Sequence, residues 1–161
     1  MSDKYVVVLD AGSDLPERDY LISNAWGDVP VSYVQDEVAF NECSFLDLKV
    51  NKWEVNNEWS KQQVSEPWIR IEKVEGEVLN DFLLNESSSW PKENVPEKII
   101  TIELDEGGNE VDEILLQRVI AVFFGRFKVY RCSDRIEEVS QGTIDTIPAL
   151  DAVHERIRRC V

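Results

Sequence analysis

Residues 110–124 constrain this chain more than any other stretch. Val111, Ile114, Leu115, Val119, Val122 and Phe123 recur at the spacing of one helix face, and Leu116, Ile120 and Phe124 add a second face. A helix that is apolar on two faces must be buried on most sides, so the chain has to supply a layer for it to lie against. Candidates flank it directly: residues 98–104 and 127–132 read as strands. Asn109 is a good N-cap, and Glu110, Asp112 and Glu113 suit the positive end of the helix dipole. Gly125 is placed to end the helix. Strand, turn, helix, glycine and strand over residues 98–132 have the outline of a βαβ unit, although so short a closing loop also permits an antiparallel return.

The rest of the chain reads as mixed. Residues 4–9 form a buried strand and residues 10–16 a turn; residues 17–24 are a short helix with Tyr20 and Leu21 facing inward. Residues 29–34 are a second strand. Over residues 37–55 the alternation places Val38, Phe40, Leu46, Leu48 and Val50 on one face and Phe45, Trp53 and Val55 on the other. Two antiparallel strands with a turn near residues 41–44 fit that pattern. Residues 68–74 alternate as a strand, and Val78, Leu79, Phe82 and Leu83 predict a helix over residues 77–84. Residues 85–96, with three serines and two prolines, are a loop. Residues 133–139 suit a helical turn, and residues 148–159 a last helix with Leu150, Val153 and Ile157 inward. The predicted fold class is α+β: a single domain over residues 1–161 with a mainly antiparallel or mixed sheet, the buried helix at 110–124 and a C-terminal helix.

Charge narrows the partners. The chain holds 32 Asp and Glu against 17 Lys and Arg, a formal net of −15. Binding to nucleic-acid phosphates draws its affinity from Lys and Arg displacing counterions, so direct nucleic-acid binding is excluded as an expectation. Docking on an anionic membrane is disfavoured for the same reason. The apolar run at residues 5–9 is too short for a secretory leader, and no window approaches a membrane span. Cys43, Cys132 and Cys160 are odd in number and widely spaced, which suits reduced, mostly buried thiols in a cytoplasmic protein. The acids are unevenly spread: residues 1–113 carry 26 acids and 9 bases, residues 114–161 carry 6 acids and 8 bases. Between residues 75 and 113 there are 12 acids against Lys92 and Lys98 alone.

No motif brings catalytic groups together. His154 is the single histidine and sits beside the apolar face of the last helix, where a core-edge role accounts for it. Residues 7–13 (Val-Val-Leu-Asp-Ala-Gly-Ser) resemble the first phosphate loop of the actin, hexokinase and apyrase superfamily. The resemblance implies an Asp10 that handles a metal-bound nucleotide and a Gly12 that admits phosphate. Asp14, Glu17 and Asp19 follow at once, however, and that fold needs two such domains, so the segment reads as a strand-ending turn. The Gly107-Gly108 turn precedes a helix N-terminus, a place that suits anions, but the carboxylates around it oppose an anionic ligand. The ligand spacing of a calcium loop is absent there. No catalytic, cofactor or metal residues are assigned, and the chain is read as a non-enzyme.

What remains is a binding reading. Asp105, Glu106, Glu110, Asp112 and Glu113 are the candidate partner-binding acids, with Trp59 and Trp90, both in polar contexts, as aromatic anchors. The expected function is a small acidic inhibitor, an immunity-type protein that covers the active site or nucleic-acid groove of a basic toxin or nuclease. Two alternatives stand beside it: an assembly or regulatory subunit acting through an apolar interface, and a phage-type DNA mimic that blocks a host DNA-binding system.

Overall fold

The computed structural model describes residues 4–9, 15–37, 44–61, 67–85, 98–133 and 136–160. Along the chain run β1 (Lys4–Leu9), α1 (Arg18–Trp26), β2 (Val31–Gln35), β3 (Phe45–Val50) and α2 (Lys52–Val55). A 3-10 turn (Asn57–Lys61), β4 (Ile69–Glu75), α3 (Gly76–Asn85), β5 (Lys98–Leu104) and α4 (Glu110–Phe124) follow. The chain ends in β6 (Lys128–Cys132), β7 (Ile136–Glu138), α5 (Gln141–Asp145) and α6 (Leu150–Arg159). The seven strands form one sheet in the order β2-β3-β4-β5-β1-β6-β7, and every neighbouring pair is antiparallel. The fold is α+β, with an antiparallel sheet and α4 and α6 as expected.

Because β1 lies between β5 and β6 and is antiparallel to both, β5 and β6 run in the same direction. The 98–132 unit is therefore a split βαβ unit and not a hairpin-like return. Length explains this: a 15-residue helix spans about 22 Å and a seven-residue strand about 20 Å, so α4 carries the chain back to the level where β5 began.

One face of the sheet carries the main core. Val7, Ile100, Ile102, Ile71, Leu48 and Leu46 project from it against Leu21, Ala25 and Trp26 of α1, Leu116, Ile120 and Phe123 of α4, and Val153 and Ile157 of α6. The opposite face is covered in part by α3, whose Leu79 joins Val6, Val74 and Ile99. Val8, Tyr130 and Ile136 pack beside this cluster, and further along the face carries charge. Lys4, Glu103, Arg70 and Asp47 are cross-strand neighbours of alternating sign, with Arg70 Nε and Nη2 each donating to Asp47 at 2.8 Å. Opposite charges facing each other across strands suit an exposed sheet face.

Several local expectations change. Tyr20 is exposed, because the inward face of α1 is set by Leu21 and Ala25, four residues apart. Trp53 and Val55 lie on α2 and not on a strand: the Asn51 amide bonds to the Pro30 carbonyl, and the Glu54 amide then turns back to the Asn51 carbonyl. The helical turn expected at 133–139 is strand β7, held to β6 and prolonged by the Val139 amide on the Val129 carbonyl. Helix α5 was not anticipated, and Ser140 caps it. The turn at 10–14, Val38, Phe40, the turn at 41–43 and the loop at 86–96 lie outside the described residues.

The end of α1 shows how the helices lock together. The Gly27 amide bonds the carbonyls of Ile22 and Ser23. Arg118 of α4 donates to the carbonyls of Asn24, Ala25 and Pro148, and His154 Nε2 meets the Trp26 carbonyl at 2.6 Å. A carbonyl can only accept, so His154 carries its proton on Nε2 and serves as a core-edge donor. The last carbonyls of the helix, which lack intrahelical partners, are thus satisfied from two other helices. Burial lowers the pKa of Arg118 from its usual value, yet a guanidinium remains charged. Gly27 adopts φ 71° and ψ −145°, a region open essentially to glycine, and a Cβ there would meet Leu150 Cδ2 at 2.9 Å. Gly27→Ala is expected to lower stability by about 2 kcal/mol, measured as a shift in the urea midpoint with unchanged slope.

Candidate acidic binding surface

The acidic turn is built from the end of β5. The Asp105 amide donates to the Trp68 carbonyl at 2.9 Å, which extends the β4–β5 ladder by one bond. Gly107 takes φ 96°, and at Gly108 a Cβ would lie 2.8 Å from Leu104 Cδ2. Asn109 then caps α4 in a reciprocal box: its side chain accepts from the Asp112 amide, and the Asp112 carboxylate accepts from the Asn109 amide at 3.0 Å. The backbone carrying the acids is fixed at both ends.

Position in the fold separates the candidate acids. Asp105, Glu106 and Glu110 are exposed and Glu113 is half-buried. Glu110 is shared with Arg156 of α6 at 3.4 Å. Asp112 is not on the surface at all: it is 5 % exposed and accepts from Lys52 Nζ at 2.5 Å, and Lys52 itself is 3 % exposed. Asp112 therefore leaves the set of partner-binding acids. Its second oxygen holds the cap, and its first neutralises a buried ammonium, so it is occupied by the fold.

Trp59 leaves the set as well. Its ring is buried beneath Lys52, whose Nζ lies 4.9 Å from the ring centroid, and its Nε1–H donates to the Ile157 carbonyl at 2.8 Å. Beside it Asn56 Nδ2 donates to the Arg158 carbonyl at 2.6 Å. The segment around the 3-10 turn thus closes the C-terminal end of α6, where Cys160 adopts the left-handed conformation. The polar neighbours of Trp59 face water because the 3-10 turn aims only the indole inward. Trp90 lies outside the described residues. The exposed tryptophan that the sequence did not single out is Trp53, 48 % exposed on α2. The Asn109-x-x-Asp112 spacing of a capping box was the signal that could have marked Asp112 as structural.

Among the described residues, the acids between residues 75 and 113 do not form one patch. Glu75 pairs across the ladder with Lys98, and Glu77 starts α3 at that end of β5; Asp105 and Glu106 stand at the other end, about 20 Å away. Near the acidic turn α6 brings Arg156, which reaches Glu110, while Arg158 and Arg159 of its last turn pair with Glu155. Glu155 is held below the usual glutamate range, first by its hydrogen bond from Arg158 and then by the charge of Arg159. Among the described residues no group of His, Cys, Asp and Glu is arranged to hold a metal ion. Cys132 and Cys160 are half-buried, and Cys43 lies outside the described residues. No helix of the described residues is long and apolar enough to cross a membrane.

Comparison with known protein families, with curated proteins and with solved structures finds no match. The functional reading therefore rests on the chemistry of the surface.

Proposed function

We propose that this chain is a small acidic binding protein that neutralises a basic macromolecule, as an immunity-type inhibitor of a toxin or nuclease does. The observation that carries the reading is the exposure of Asp105, Glu106 and Glu110 together at the start of α4 and on the turn before it, whose backbone is held by the ladder and the capping box. A backbone already fixed in place spares part of the ordering cost when its carboxylates meet cationic side chains, and complementary potential speeds the encounter. A nuclease is basic where it holds phosphate, so carboxylates carried on a fixed backbone fit that place. Trp53 supplies an exposed aromatic of the kind enriched at binding hot spots.

The test begins with capture of cationic proteins from a lysate of the source organism at about 50 mM salt. Association kinetics with the captured protein then follow at rising salt. The on-rate is expected to fall about tenfold between about 50 and 500 mM salt, and a similar loss is expected on combining Asp105→Asn, Glu106→Gln and Glu110→Gln. Asp112 is left untouched because it holds the fold. An on-rate indifferent to both changes would end the electrostatic reading. The half-exposed Trp53, Tyr33 and Val34 favour a second reading, an assembly subunit with an apolar interface, and salt-indifferent association would point to it.

A further inference from the structure

We infer that β2 is a self-association edge: two copies of this chain pair antiparallel about Ser32, so that Val31 of each copy faces Tyr33 of the other. The direction of the backbone groups carries this. The Asn51 amide donates to the Pro30 carbonyl at 2.8 Å, which makes residues 30 and 51 a hydrogen-bonded pair of the β2–β3 ladder. Such pairs alternate along an antiparallel ladder, so Ser32 and Val34 turn their amides and carbonyls toward β3, and Val31 and Tyr33 turn theirs away from it. Among the described residues no strand lies beyond β2, and the backbone groups of Val31 and Tyr33 meet no partner.

The two edges of the sheet differ. β7 is three residues long and carries Glu137 and Glu138, features that blunt an edge against pairing. β2 carries no charge from residue 31 to residue 35, and Tyr33 and Val34 are each 49 % exposed. A second copy fits because residues 29–35, which the register pairs, carry no charge, while Asp28 of each copy approaches Asp36 of the other and supplies the repulsion that salt screens. The register is self-complementary: Val31 against Tyr33 forms an aromatic–β-branched cross-strand pair twice over, and the four outward amides and carbonyls of each pair of strands satisfy one another. Arg18 lies 3.9 Å from the Tyr33 ring centroid and donates to the Gln35 side chain, which holds the ring in place before any pairing.

Sedimentation equilibrium over a concentration series decides this. The parent chain is expected to form a dimer of twice 18.6 kDa, with the dimer fraction rising with salt as the repulsion between copies is screened. This salt trend is opposite to that of binding a basic partner, so the two readings fail separately. Tyr33→Pro removes one outward amide and leaves the β2–β3 ladder intact; it is expected to be monomeric with the parent's melting temperature. Tyr33→Thr keeps the amide and is expected to dimerise about tenfold more weakly. Should Tyr33→Pro misfold, amide exchange in the parent serves instead: exchange at Val31 and Tyr33 slows about tenfold or more as the dimer forms. A parent that stays monomeric at about 1 mM, a Tyr33→Pro variant that dimerises like the parent, or amides protected only when a different protein is bound would overturn the proposal.

Discussion

Asp112→Asn is expected to destabilise the protein by about 3–5 kcal/mol, although it removes only one charge. Asparagine keeps an oxygen for the Asn109 amide, so the helix cap survives. What is lost is the counterion of Lys52, an ammonium that the core holds at 3 % exposure. Removing one partner of a buried ion pair strands the other charge, and that penalty exceeds the net worth of the pair. The double variant Lys52→Met/Asp112→Asn removes both charges and is expected to return to within about 1 kcal/mol of the parent. Urea denaturation of the four proteins closes the cycle and gives the coupling energy. A single variant within about 0.5 kcal/mol of the parent would mean that the Lys52 ammonium reaches water. For a chain of this length the expected loss corresponds to roughly 10 °C or more in melting temperature.

Trp59 offers the second large effect. Trp59→Ala should cost about 3–5 kcal/mol through the cavity it opens beneath α2 and α6. Trp59→Phe keeps most of the volume but leaves the Ile157 carbonyl without the indole donor, and about 1–1.5 kcal/mol is the expected loss. The two variants separate core from interface. If Trp59 were a surface anchor, either substitution would weaken partner binding and leave the melting temperature where it was. With the indole buried, thermal denaturation moves, and the association rate measured below the transition stays at the parent value.

The acid count has to be weighed by position. Among the five candidate acids, Asp112 neutralises a buried cation and Glu110 is shared with Arg156. The exposed pair with Arg156 is worth about 0–1 kcal/mol at most, so Glu110 remains available to a partner at little cost. The acidic surface that can act is therefore smaller than the sequence suggests, and it sits at one end of the sheet beside Arg156 of α6.

The elements written into local periodicity were legible from the sequence. Residues 98–104 alternate or stay apolar as a buried strand, and residues 110–124 repeat at helical spacing between an N-cap and a glycine; both emerged with these bounds. The α+β class follows, because a helix buried on most sides needs a sheet beside it. What the sequence could not show is where distant segments meet. Lys52 and Asp112 are 60 residues apart, and Trp59 bonds a carbonyl 98 residues away. Burial of a polar side chain depends on which groups the fold brings opposite it, and no short window contains that information. The same holds for strand order: β1 entered between β5 and β6 because α4 is as long as a strand, and β2, paired with β3 alone, stands at the rim with its outward amides. Local sequence decides which elements form and which faces are apolar. Tertiary structure decides which charges face water, since only packing sets the dielectric and the partner that each one meets.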